Sequence, residues 1–154
     1  MFWQRLKKDA IMPKKATKGS AAYDAYLPVT YKLKPGRQVL PLGFAIEMPE
    51  ILALDCRSRS GNSAKGLLVR DVTGAELRID ADVQLGLIDS DYRNEVGVII
   101  NVRDSRCEYL DLYVERGQAI AQLKFCYVPA VKLVEVEELS KTERTGGFGS
   151  TDKK

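Results

Sequence analysis

The sequence predicts an all-β domain, a sandwich or barrel, on three observations. The segment EVGVIINVRD alternates strictly, placing Val96, Val98, Ile100 and Val102 on one face, the period-two pattern of a half-buried strand. Turn signals recur at intervals of roughly ten residues between short β-branched and apolar runs. No stretch carries a sustained helical stripe with good caps.

The elements follow in chain order. The start, MFWQRLKKDAIMPKKATKGS, lacks the uninterrupted apolar core of a signal peptide. Residues 1–12 read as an extension in which Phe2 and Trp3, followed by Arg5, Lys7 and Lys8, suit a short docking segment or loose arm better than a membrane-touching helix. VTYKLKPGRQVLPLGFAIEMPE turns at Pro35-Gly36 and then runs extended to Pro49. One short helix is expected near Asn62 to Lys65. GLIDSDYRNEV reads as a hairpin: Leu87 and Ile88 on a strand, a turn through Asn94 as a left-handed residue, and the return strand EVGVII. DLYVERGQAIAQLKFCYVPAVKLVEVEEL gives a short strand, a turn at Arg116-Gly117, and two further strands broken by Pro129. The domain is expected over residues 1–139. Residues 140–154, with ERTGGFGSTDKK, cannot build regular structure because three glycines in four residues cost too much backbone entropy.

Composition narrows the function. A chain of 154 residues suits one domain, and 45% hydrophobic residues can fill its core. A net charge of +3 speaks against broad nucleic-acid binding but permits a local cationic pocket. Nowhere are there about 18 consecutive apolar residues, so no membrane association is expected. Three scattered cysteines, Cys56, Cys107 and Cys126, suit a reducing cytoplasm and no structural zinc. Histidine is absent, which excludes histidine-based acid–base and triad chemistry.

Three segments carry chemistry. RSRSGNSAKG sets Arg57, Arg59 and Lys65 around a Ser-Gly corner, the guanidinium, hydroxyl and exposed N–H groups that a phosphate chain requires. It is not a Walker loop, and alone it also fits a solvated basic turn. The hairpin GLIDSDYRNEV holds Asp89 and Asp91 at its mouth beside Tyr92, and without histidine an aspartate is the natural group to polarise a water. Asp-Ser-Asp in a turn equally serves turn geometry. Gln122, in RGQAIAQLKF, is a neutral donor among apolar neighbours.

Taken in order, SAAYDAY, SRSGNSAKG, GLIDSDYRNEV, RGQAIAQL and RTGGFGST resemble the five successive motifs of the trimeric deoxyuridine triphosphate nucleotidohydrolases, or dUTPases, and PLGFAIEMPE is similar to that family's approach to its second motif. The resemblance covers about Pro13 to Thr151. It implies a jelly-roll-like β fold, a homotrimer with active sites built from several chains, and hydrolysis of dUTP to dUMP and pyrophosphate with Mg2+ held by the triphosphate. Asp89 matches the aspartate that orients the attacking water; Asp91, two residues on, is the alternative and is taken as turn-stabilising. Tyr92 matches the aromatic beneath the deoxyribose, and the backbone of Leu87, Ile88 and Gly97 the hairpin that reads the uracil. Arg59, Ser60 and Gly61 match the phosphate corner with Gln122 beside it, and Asp24 a first-motif acid near the metal's water shell. Arg144, Phe148, Gly149, Ser150 and Thr151 match a mobile arm that closes over the nucleotide.

Several positions depart from the family pattern. RDVTGAELRIDADVQL is longer than in most members, and the insertion at 70–82 is either a surface excursion or a partner-binding hairpin. Asp71 stands where many members carry an asparagine near the base, and a carboxylate accepts hydrogen bonds without donating them. Ser58 replaces a proline, Ala119 an arginine, Asn94 a glycine, and Arg144 sits one residue closer to Phe148 than usual. Two other readings compete. One is a dCTP deaminase, or a bifunctional deaminase and hydrolase, with Glu95 as the nearest base-proximal acid. The other is a nucleotide-gated regulatory protein using the insertion.

Overall fold

The computed structural model describes residues 1–143 and is mostly β, with 41% strand against a single α-helix of six residues among them. Every strand pairing is antiparallel. The edge strand β1 (Phe2–Arg5) pairs with β5 (Phe44–Glu47), so the N-terminal extension begins as a docked strand rather than a loose arm. One four-stranded sheet runs β10 (Gly86–Ile88), β6 (Leu52–Ser58), β13 (Ala119–Tyr127), β2 (Tyr23–Tyr26). A three-stranded sheet runs β4 (Gly36–Pro41), β11 (Gly97–Val102), β9 (Ala81–Val83). A second four-stranded sheet runs β3 (Tyr31–Lys32), β12 (Tyr113–Val114), β7 (Leu67–Arg70), β8 (Glu76–Ile79). No sheet closes on itself, so among the described residues the architecture is layered sheets and not a barrel.

Alternation places the core. Val96, Val98, Ile100 and Val102 are 0%, 0%, 1% and 3% exposed, while Ile99 between them faces outward at 40%. They pack with Leu27, Phe44, Leu54, Leu112 and Ile120, all fully buried. Each such side chain contributes about 1.5–3 kcal/mol by leaving water.

Positive φ marks the turns. Gly36 follows Pro35 at φ +82°, the geometry a Pro-Gly turn needs. The expected short helix is α1 (Ser60–Lys65). It ends at Gly66, whose φ is +81° and whose N–H reaches the Asn62 carbonyl at 2.9 Å. Residues 70–82, expected as an insertion, form the turn and return strand of the β7–β8 hairpin, with Gly74 at φ +87° in the turn, and run on into β9.

Two local expectations are corrected. Asn94 is not left-handed, since no non-glycine residue among those described has positive φ. The turn is instead held by Tyr92, whose N–H donates to the Asp89 carbonyl at 3.2 Å and whose hydroxyl donates to the Glu95 carbonyl at 3.1 Å. Among the described residues no strand follows Pro129: Leu133 and Leu139 are 93% and 81% exposed, and no described strand pairs with them. Alternation there is real, but a strand needs a neighbour for its ladder.

A Cβ added at Gly66 would sit 2.7 Å from the Ile79 carbonyl oxygen, on a backbone that cannot move cheaply. Gly66→Ala is therefore expected to destabilise the protein by about 1–3 kcal/mol in urea unfolding, from strained φ and this clash.

Candidate functional site

The hairpin between β10 and β11 opens a cleft of about 230 Å³. Leu87, Ile88, Asp89, Tyr92 and Gly97 all line it, with Cys56 at its floor and Gln84 and Ile99 beside them. Antiparallel pairing of β10 with β6 places Ile88 opposite Leu54 and leaves Asp89 just past the last paired residue, exposed. Gly97 keeps the wall thin, since a Cβ there would meet Val39 at 2.7 Å. Cys56 is an inert floor: burial pushes its thiol up to about 11.

A second cluster forms where β6 ends. Arg59 caps α1 without a side-chain bond to the helix and turns instead toward β2 and β13. Its NH1 donates to the Ala119 carbonyl at 3.1 Å, where a bulge in β13 interrupts the ladder with β2. Its Nε lies 3.4 Å from the buried carboxylate of Asp24, and Gln122 donates to the same carboxylate oxygen at 3.4 Å. Ser60 and Gly61 open the helix next to them, both exposed. Arg57 is different. Asp55 holds it through two hydrogen bonds, at 2.7 and 3.1 Å, so its charge is already matched.

The chain gathers these residues into two places, not one. Asp89 extends the register to a point opposite Ala53, six residues along β6 from Arg59, which at strand rise is about 20 Å. Among the described residues, Asp24, Arg59, Ser60, Gly61 and Gln122 form a cationic corner, and Asp89, Tyr92, Leu87, Ile88 and Gly97 form a cleft at the other end of the strand.

Asp71 joins neither. Its carboxylate accepts from the Thr73 hydroxyl at 2.7 Å, the Thr73 N–H at 2.8 Å and the Ala75 N–H at 3.0 Å, which holds it below its ordinary range. It is occupied in tying its own turn. Glu95 also faces away from the cleft lining, accepting from the Gly43 N–H at 2.8 Å and pairing with Lys7 at 2.9 Å. Asp91 is exposed and outside the cleft lining. Arg144, Phe148, Gly149, Ser150 and Thr151 lie outside the described residues. Gln84 was not legible from the motifs; its only signal is a shared strand face with Asp82, two residues before it. No group of three His, Cys, Asp or Glu side chains is gathered as a metal site among the described residues. Asp24 could meet a cation through water, as one carboxylate beside a phosphate corner.

A family model described as dUTPase matches residues 8–152. The deoxyuridine 5'-triphosphate nucleotidohydrolase of Neorickettsia sennetsu is 38% identical over 149 residues, covering 94% of this chain and 89% of that protein. The enzyme of that name from Hydrogenobaculum sp. is 36% identical over 156 residues, covering 98% and 96%. Among solved structures, a Staphylococcus bacteriophage 80alpha dUTPase variant superposes at a TM-score of 0.80 with 26% identity, covering 97% of this chain and 96% of that one. Another 80alpha variant, with dUpNHpp, superposes at 0.77 with 26% identity and the same coverage. A phage phi11 dUTPase of S. aureus, described with a structural Mg(II) ion, shares the fold at 0.73 with 23% identity, covering 89% and 96%.

Glu95 fastens the return strand of the hairpin to the N-terminal segment. Glu95→Ala leaves the Gly43 N–H without its acceptor and is expected to cost about 1–3 kcal/mol in chemical denaturation. Glu95→Gln, whose carbonyl can still accept, should lose less.

Proposed function

The chain belongs to the dUTPase family, and from that premise we propose that it hydrolyses dUTP to dUMP and pyrophosphate as a homotrimer of jelly-roll-like subunits whose active sites are shared between chains. The observation that carries this is the separation of Asp89 from Arg59 along β6. Hydrolysis at phosphorus needs a base and cationic donors around one reacting atom. A single chain keeps them about 20 Å apart by its register, so a second copy has to bring its corner to the first copy's cleft.

Each group then has a task. Asp89, exposed and bound to no described side chain, orients the attacking water and takes its proton, in line with the α-phosphorus. Tyr92 is fixed by its hydroxyl bond to the Glu95 carbonyl and offers its ring to the deoxyribose. The backbone of Leu87, Ile88 and Gly97 faces the base. Arg59, Ser60, Gly61 and Gln122 of a neighbouring copy hold the phosphates. Arg59 suits this better than Arg57, because its contact with Asp24 is loose and leaves charge to share. Arg144, Phe148, Gly149, Ser150 and Thr151 are assigned to the same nucleotide, over its base and terminal phosphate. When bound with the triphosphate, Mg2+ supplies charge neutralisation at the phosphate oxygens; Asp24 is the carboxylate placed to meet its water shell. Three free cysteines among the described residues favour the cytoplasm.

Deamination of dCTP needs an acid at the base. Glu95, the nearest candidate, is turned to Gly43 and Lys7, which disfavours that chemistry. Asp89→Asn is expected to lower kcat for dUTP by about 10²–10⁴-fold while dUpNHpp affinity stays within about tenfold, read by pyrophosphate release and by binding. A variant of near-full rate would overturn the assignment of the base.

A further inference from the structure

The wall of the cleft is held from behind by a chain of charges that the catalytic reading does not use. Asp82 lies on β9 and Gln84 two residues on, so their side chains share a face. Gln84 lines the cleft, and its Nε2 donates to an Asp82 carboxylate oxygen at 2.9 Å. The other Asp82 oxygen accepts from NH1 of Arg103. Arg103 is itself fixed by two parallel bonds to Asp80, Nε at 3.1 Å and NH2 at 2.7 Å.

This arrangement has a polarity. A carboxylate only accepts, so the Gln84 amide must turn its nitrogen to Asp82 and leave its oxygen as the free end. No described group donates to that oxygen. The Watson–Crick edge of uracil carries two acceptors, O2 and O4, and one donor, N3–H. An acceptor held in the cleft can therefore match uracil only at N3–H. Cytosine presents a bare nitrogen at that position, and two acceptors facing each other lose a hydrogen bond and repel.

We propose that Asp82, anchored by Arg103, is a positioning residue that fixes the Gln84 amide oxygen toward the base, so that the cleft accepts uracil at N3–H and disfavours cytosine. This rests on the hairpin cleft being the base site of a dUTP hydrolase.

Asp82→Asn is the decisive variant because it preserves shape. Arg103 still needs an acceptor, so the new side chain must turn its oxygen to Arg103 and its NH2 to Gln84. The Gln84 amide then flips and presents its nitrogen to the base. Arg103 keeps its paired bonds to Asp80, so folding should be little changed.

The expected result is a fall of about tenfold or more in the ratio of kcat/KM for dUTP over dCTP, measured by pyrophosphate release, with the change carried mainly by KM. Gln84→Leu, which removes the acceptor, should lower the same ratio. Binding of dUMP against dCMP reads the preference without turnover and should shift alike. If both variants keep the wild-type preference, the proposal is overturned. If Gln84→Leu loses it and Asp82→Asn keeps it, the positioning role of Asp82 is overturned. Wild-type protein that releases no pyrophosphate from dUTP contradicts the hydrolase reading instead, and the dUMP and dCMP affinities still decide whether the amide orientation discriminates.

Discussion

The pairing of β6 with β10 on one side and β13 on the other fixes where Asp89 and the Arg59 corner lie. Through β10 it sets the height of Asp89; through β13 it brings Gln122 and the Ala119 carbonyl to Arg59. A slip of one residue in either ladder would turn Leu54 and Cys56 out of the core and is strongly opposed by their burial. The same ladder that makes the fold unique thus holds Asp89 and Arg59 of one chain about 20 Å apart.

Strength of pairing separates the cations by role. Arg57 is locked by Asp55 at 2.7 Å and Arg103 by Asp80 at 2.7 Å and by Asp82, and these contacts shape the surface. Arg59 meets Asp24 at 3.4 Å and shares it with Gln122. A buried carboxylate needs such partners, since alone it would be costly to desolvate. The long contact leaves the guanidinium free to take a better anion. A triphosphate, charged and with many acceptor oxygens, is such an anion.

Local pattern made much of the fold and site legible. Alternation in 96–102 gave β11 and its buried face, Pro35-Gly36 gave a turn at positive φ, and the motif order led to both the cleft and the corner. What stayed hidden depends on contacts distant in sequence or on competition within a turn. Asp71 is drawn into its own hairpin by Thr73 and Ala75, a local use that a motif comparison does not reveal. The link from Gln84 through Asp82 to Arg103 exists only because β11 carries the chain past Asn101, the register partner of Asp82, to Arg103 beside Asp80. The run after Pro129 has a strand's alternation, but its partner cannot be read from its own residues.

Subunit complementation tests the shared site most directly. Asp89→Asn and Arg59→Ala chains, each inactive alone, would be unfolded, mixed in equal amounts and refolded together. If base and cation come from different copies, random mixing restores about a quarter of the wild-type sites and dUTP hydrolysis returns with them. If the mixture stays as inactive as either variant alone, each site draws both groups from one chain, and a catalytic centre shared between subunits is contradicted.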